Sequence, residues 1–235
     1  MTDPSSHSMF LKSLFLAAAL ALLAGCGESG VPAPGATPAA VATGTYKPMG
    51  LAAADAQLFV AAAEGDGARI MDAIESGADI KVADALKRNA VFIAAFHRQA
   101  SAASLLIEAG CGIDAQDLNG MAPLHGAVVV GAIDVAGMLI TKGANINLAD
   151  VSGQTPLHIA AATGQTAMAE LLLQNGANPR LKTAGGLTAA SLAANNGHGT
   201  TATTIKNRPA PAARPPEPKV GAGGTATTAP APRGG

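Results

Sequence analysis

Tryptophan is absent from this 235-residue chain, tyrosine occurs once and phenylalanine five times. So few rings exclude a platform for stacking nucleotide bases, and they leave too little bulk to fill one deep core. Cysteine occurs only at Cys26 and Cys111, which excludes a scaffold built on disulfides. Charge is sparse and balanced, with 15 basic and 16 acidic residues, so the basic footprint of a nucleic-acid binder is missing. There is no Gly-rich phosphate loop, no Cys-x-x-Cys pair and no nucleophile elbow. What fills the chain instead is small: 55 Ala, 28 Gly and 15 Pro make 98 of the 235 residues. Such a composition suits thin layers of closely approaching helices.

The amino-terminal stretch reads as an address. From Met9 the sequence runs MFLKSLFLAAALALLAGC, with one cation at Lys12 and an unbroken apolar run over 14–24. Eleven residues fall short of the roughly 20 that a membrane-spanning helix needs, and a signal-peptide core fits better. Leu23-Ala24-Gly25-Cys26 resembles the lipobox of bacterial lipoproteins. That resemblance implies a signal peptide over 1–25, a diacylglycerol on the thiol of Cys26, and an acylated new amino terminus. Gly27 stands where aspartate would retain a lipoprotein in the inner membrane, so the resemblance further implies outer-membrane sorting with the protein facing the periplasm. An ordinary secretory signal ending near a cysteine is the alternative. Residues 1–8 contain Asp3 and no cation, so Met9 competes with Met1 as the start.

Two low-complexity segments flank the middle. Residues 26–50 comprise Cys26 and a Pro/Gly/Ala linker, whose length as a flexible coil corresponds to about 25–30 Å. Residues 209–235 are dominated by Pro, Ala, Gly and Thr and are expected to stay disordered. The last third of the chain is basic, and Lys206, Arg208, Arg214, Lys219 and Arg233 either touch an anionic surface or simply solubilise the tail.

A 33-residue period organises residues 51–208. Gly120, Gly153 and Gly186 are spaced by 33, as are Gly131, Gly164 and Gly197, and again Gly77, Gly110, Gly143 and Gly176. In register the units are 51–83, 84–116, 117–149, 150–182 and a truncated 183–208. The fourth unit reads DVSGQTPLHIAAATG and then AELLLQNGAN, and it resembles the ankyrin repeat almost residue for residue. The resemblance implies an all-α repeat solenoid in which each unit is a helix-turn-helix plus a β-hairpin loop. Thr155 suits an N-cap and Pro156 the first helical position. Leu157, Ala160 and Ala161 give the first helix a narrow face, and Gly164 and Gly176 supply the left-handed residues that end the two helices. No unit could hide its apolar face alone, whereas a stack can.

The second unit departs most. Lys87 replaces the hairpin glycine, Asn89-Ala90-Val91-Phe92 replaces Thr-Pro-Leu-His, and Arg98 replaces the helix-ending glycine. A non-glycine left-handed residue costs about 1 kcal/mol, which predicts a soft point there. His125 and His158, with Asp117 and Asp150, recur one period apart and are read as structural, because an active site is a single constellation. Cys111 aligns with Ala78, Ala144 and Ala177 and is read as a small buried hydrophobe rather than a redox sensor.

No enzymatic activity, cofactor or metal is expected. In ankyrin domains the hairpin tips and the end of the first helix form the concave partner-binding face. In this register that face comprises Leu86, Arg88, Phe96, His97, Leu118, Asn119, Met121, Val129, Val130, Val151, Ser152, Gln154 and Thr163. Its apolar members, clustered around units two and three, predict a protein-binding groove. The expectation is a monomeric, membrane-anchored periplasmic scaffold, adaptor or regulator of an envelope protein that binds no nucleic acid. An immunity protein or inhibitor against a toxin or hydrolase, and a structural envelope tether, are the alternatives.

Overall fold

The computed structural model describes residues 51–208. Cys26, the signal peptide, the linker and the tail lie outside the described residues. Within them ten helices follow in pairs. The inner helices are α1 (Ala53–Glu64), α3 (Ala90–Phe96), α5 (Pro123–Val129), α7 (Pro156–Ala162) and α9 (Ala189–Asn195). Their outer partners are α2 (Gly67–Glu75), α4 (Ala100–Glu108), α6 (Ile133–Thr141), α8 (Thr166–Gln174) and α10 (Gly199–Lys206). Each inner helix packs on its own partner and on the inner helices either side, and the outer helices form a second row. The expected all-α solenoid is the observed architecture.

Alanine lets the two rows approach. Ala61, Ala94, Ala95, Ala127, Ala160, Ala161 and Ala193 are all fully buried on inner helices, while Leu106, Leu139 and Leu172 fill the outer row. Each buried leucine contributes roughly 2 kcal/mol of transfer free energy, which only a neighbouring unit makes available. Cys111 is buried in the small position it shares with Ala78, Ala144 and Ala177. Burial pushes its thiol above the ordinary range, away from reactive thiolate.

The inner helices begin as the sequence predicts, with Pro123 and Pro156 at their first positions. Helix α1 differs: with Gln57 where proline would stand, it starts a full turn earlier and runs for 12 residues. Thr155 also differs from a simple cap, since its hydroxyl lies 2.8 Å from Nδ1 of His158.

Both anomalies of unit two take the backbone that glycine takes elsewhere. Lys87 has φ 60° and Arg98 has φ 64°, the two non-glycine residues with positive φ among those described. Softness does not follow at both places. The Arg98 guanidinium donates to the carbonyls of Val130 (2.9 Å) and Gly131 (3.3 Å) in the next unit, and charge-assisted bonds of this kind offset the strain. Asn89 caps α3 by accepting from the Phe92 N–H and donates to the Gly112 carbonyl at 2.6 Å.

Candidate functional site

Five-residue loops precede the inner helices of units two to five and form a row of tips. In three of them an aspartate closes the turn. The Asp84 carboxylate accepts from the N–H groups of Leu86 and Arg88, Asp117 from Asn119 and Met121, and Asp150 from Ser152 and Gln154. Successive tips are then joined by single backbone bonds: Leu118 N–H to the Leu86 carbonyl, Val151 to Asn119, and Ala184 to Ser152, at 2.8–3.0 Å. No strand forms among the described residues, so the row of tips is a ribbon of turns, with one isolated bridge between Lys182 and Thr188.

The histidines sit beneath this ribbon. Nδ1 of His125 accepts from the Ala122 N–H at 3.1 Å, which leaves the proton on Nε2, 3.3 Å from the Gln154 carbonyl of the next loop. His158 repeats the pattern with the Thr155 N–H and the Leu181 carbonyl. Both rings are neutral. Burial depresses the His125 pKa to about 4 and lowers that of His158 in the same direction. Rings that fasten one unit to the next in this way are structural fasteners, as read from their recurrence.

The groove residues divide once placed. Val151 is 72% exposed and Leu118 52%, with Asn119 and Ser152 also exposed beside them. Leu86, His97, Val129, Gln154 and Thr163 are half-buried. Phe96, Met121, Val130 and Arg88 are buried, at 5%, 7%, 2% and 6%, and this corrects the expectation that they line an open groove. The register assigns residues to the concave side, but a side chain at an inner helix end is turned sideways and covered by the next unit. Phe96 and Val130 are core residues for that reason, and the His97 ring meets Phe96 edge-on at 5.9 Å. Arg88 is buried because its guanidinium closes back on Asp84 at 2.7 Å.

The open apolar surface is therefore narrower than the sequence suggested and lies at the tips. Of the five exposed large apolar side chains among the described residues, Leu118, Val151 and Leu187 belong to tip loops, and Met71 and Ile133 lie on outer helices. A cleft of about 510 Å³ opens elsewhere, at the carboxy-terminal end, lined by Pro179, Arg180, Ala190, Ile205, Lys206, Asn207 and Arg208. Among the described residues no three His, Cys, Asp or Glu side chains converge as metal ligands would. No helix among them is long and apolar enough to cross a membrane.

Sequence reasoning missed the carboxamides that join the units. Gln99 donates to the Ala63 carbonyl, Gln165 to Val128 and Asn196 to Ala162. A polar residue within three positions of the end of α3, α7 and α9 was the available signal.

This arrangement of paired helices, turn ribbon and fastening histidines defines a helical repeat protein. Residues 58–150 match ankyrin repeats (three copies), and residues 139–193 match ankyrin repeats (many copies). The chain belongs to the ankyrin repeat proteins, whose repeats serve in general as protein-interaction modules without catalysis. No curated protein matches the chain closely.

Proposed function

We propose that the protein is a lipoprotein of the bacterial envelope, anchored through Cys26, whose ankyrin domain holds another protein in the periplasm as a scaffold, adaptor or regulator. The observation that carries the binding reading is the placement of Leu118 and Val151. They stand one period apart on a ribbon of turns whose backbones are bonded to one another, and they are the two most exposed large apolar side chains among the described residues. A rigid apolar pair loses little conformational entropy on binding, which favours a docking role over a passive one.

Photocrosslinking in cells from positions 118 and 151 tests this, with Ile133 on α6 as the outer-face control. A common adduct from both tip positions, missing at 133, is the expected result; equal adducts from all three would refute the tip surface. Fractionation of Cys26→Ser tests the anchor, and the variant is expected to leave the membrane fraction. The carboxy-terminal cleft, with Arg180, Lys206 and Arg208 at the point where the basic tail departs, favours a second reading as a tether to an anionic envelope polymer. Deleting residues 209–235 separates the two: loss of wall association with crosslinking intact supports the tether.

A further inference from the structure

We infer that the tip surface recognises a carboxylate held beside an aliphatic side chain, with Lys87 as the cation that meets it and Leu118 and Val151 as its apolar floor. The inference rests on the binding role proposed above and specifies the chemistry of the partner: a peptide segment carrying Asp or Glu next to Leu, Ile or Val.

The starting point is a residue that folding does not explain. Lys87 occupies the place taken by Gly120, Gly153 and Gly186 in the other loops, and it adopts their left-handed backbone. Backbone angle is only part of the difficulty. A Cβ added at Gly120 would stand 2.8 Å from the Val151 nitrogen, and one at Gly153 would stand 2.8 Å from the Ala184 nitrogen. The Leu118 N–H donates to the Leu86 carbonyl at 3.0 Å, which places residue 87 beside the Leu118 tip. Unit two accommodates it although glycine would fit without strain.

Arg98, the other strained cation, is accounted for by its bonds to Val130 and Gly131. Lys87 has no such account. It is exposed, and its ammonium makes no hydrogen bond or ion pair with any described residue. Asp84, three residues away, is held by Arg88 at 2.7–2.8 Å. A strained residue that its surroundings do not reward points to a role outside the fold. Its position supplies the rest: an exposed long cationic side chain one residue from the Leu86 carbonyl that the exposed Leu118 bonds, with exposed Val151 on the next tip, complements a negative charge attached to hydrocarbon.

The test selects phage-displayed random 12-residue peptides on the immobilised full chain, then titrates the fluorescein-labelled winners against native protein and variants. Lys87→Gly restores the residue of the other units, so its thermal midpoint should rise and lost binding cannot be blamed on unfolding. Winners are expected to carry Asp or Glu within two residues of an aliphatic side chain. Affinity should fall about 3- to 10-fold in Lys87→Gly, by a similar factor when the peptide carboxylate becomes an amide, and no further when both changes are combined. Winners without an acid, a lowered midpoint for Lys87→Gly, or unchanged affinity in that variant would each overturn the inference. If Val151→Asp abolishes binding while Lys87→Gly leaves it intact, the acidic chemistry fails and the tip surface survives. If no peptide responds to Val151→Asp, the tip surface fails and this inference falls with it.

Discussion

Units one and two solve with hydrocarbon a problem that units three and four solve with hydrogen bonds. Two residues after the inner-helix proline position, at 57, 90, 123 and 156, stand Phe59, Phe92, His125 and His158. The two phenylalanines are fully buried, and in unit two the cap comes from Asn89, which accepts from the Phe92 N–H, whereas His125 and His158 accept from the N–H groups of Ala122 and Thr155. Both chemistries fit one backbone. Apolar burial is indifferent to pH and tolerant of small shifts, whereas a neutral imidazole bonded to two backbone groups fixes one loop against the next and can be unmade by a proton.

The largest way to break the comparison is Phe92→Ala. It leaves a cavity between α1, α3 and α5 and should cost about 3–5 kcal/mol, read from urea denaturation followed by circular dichroism. Acid attacks the other half. The folded pKa of His125, about 4, lies below the unfolded value near 6.5, so the unfolded chain binds more protons in this window. Stability is fully present above pH 6.5 and is lost as pH falls toward 4, on the order of 3 kcal/mol, with His158 adding in the same direction. Hydrogen exchange at pH 5 should therefore show units three and four opening first, and equal opening of units one and two would contradict the contrast.

Smaller changes sharpen it. Gly153→Ala forces a Cβ to 2.8 Å from the Ala184 nitrogen at φ 74° and should cost about 1–2 kcal/mol, visible as a lowered thermal midpoint. Gly126 is an unneeded glycine inside α5: an added Cβ would meet the Phe92 ring at 3.5 Å, an ordinary contact. Gly126→Ala should gain about 0.5–1 kcal/mol by calorimetry. Smallest is Glu108→Gln, whose exposed carboxylate is held below its usual range by the hydrogen bond and charge of Lys142 at 2.6 Å; its thermal midpoint should fall only marginally, and by less in high salt.

Much of this fold was legible because a repeat announces itself several times over. Gly131, Gly164 and Gly197 marked the ends of inner helices, and the same register exposed Lys87 and Arg98 as left-handed exceptions. Recurrence likewise identified His125 and His158 as structural. The groove was less legible. Position in a period says which side of the solenoid a residue faces, but the depth of Phe96, Met121 and Val130 depends on how closely the next unit approaches. That approach is set by alanines elsewhere in the chain. Arg88 was misread because its partner Asp84 is brought opposite only when the loop closes. Signals for Gly126 and the joining carboxamides were present, but one residue type at one place carries little weight without its neighbours.

The carbonyls that end the inner helices have a directional consequence. Ala63 waits for Gln99, Val128 for Gln165, and Ala162 for Asn196, each donor arriving more than thirty residues later in the chain. A polypeptide emerging amino terminus first cannot finish one module until much of the following one has appeared. Order of emergence and order of completion are thus geared together.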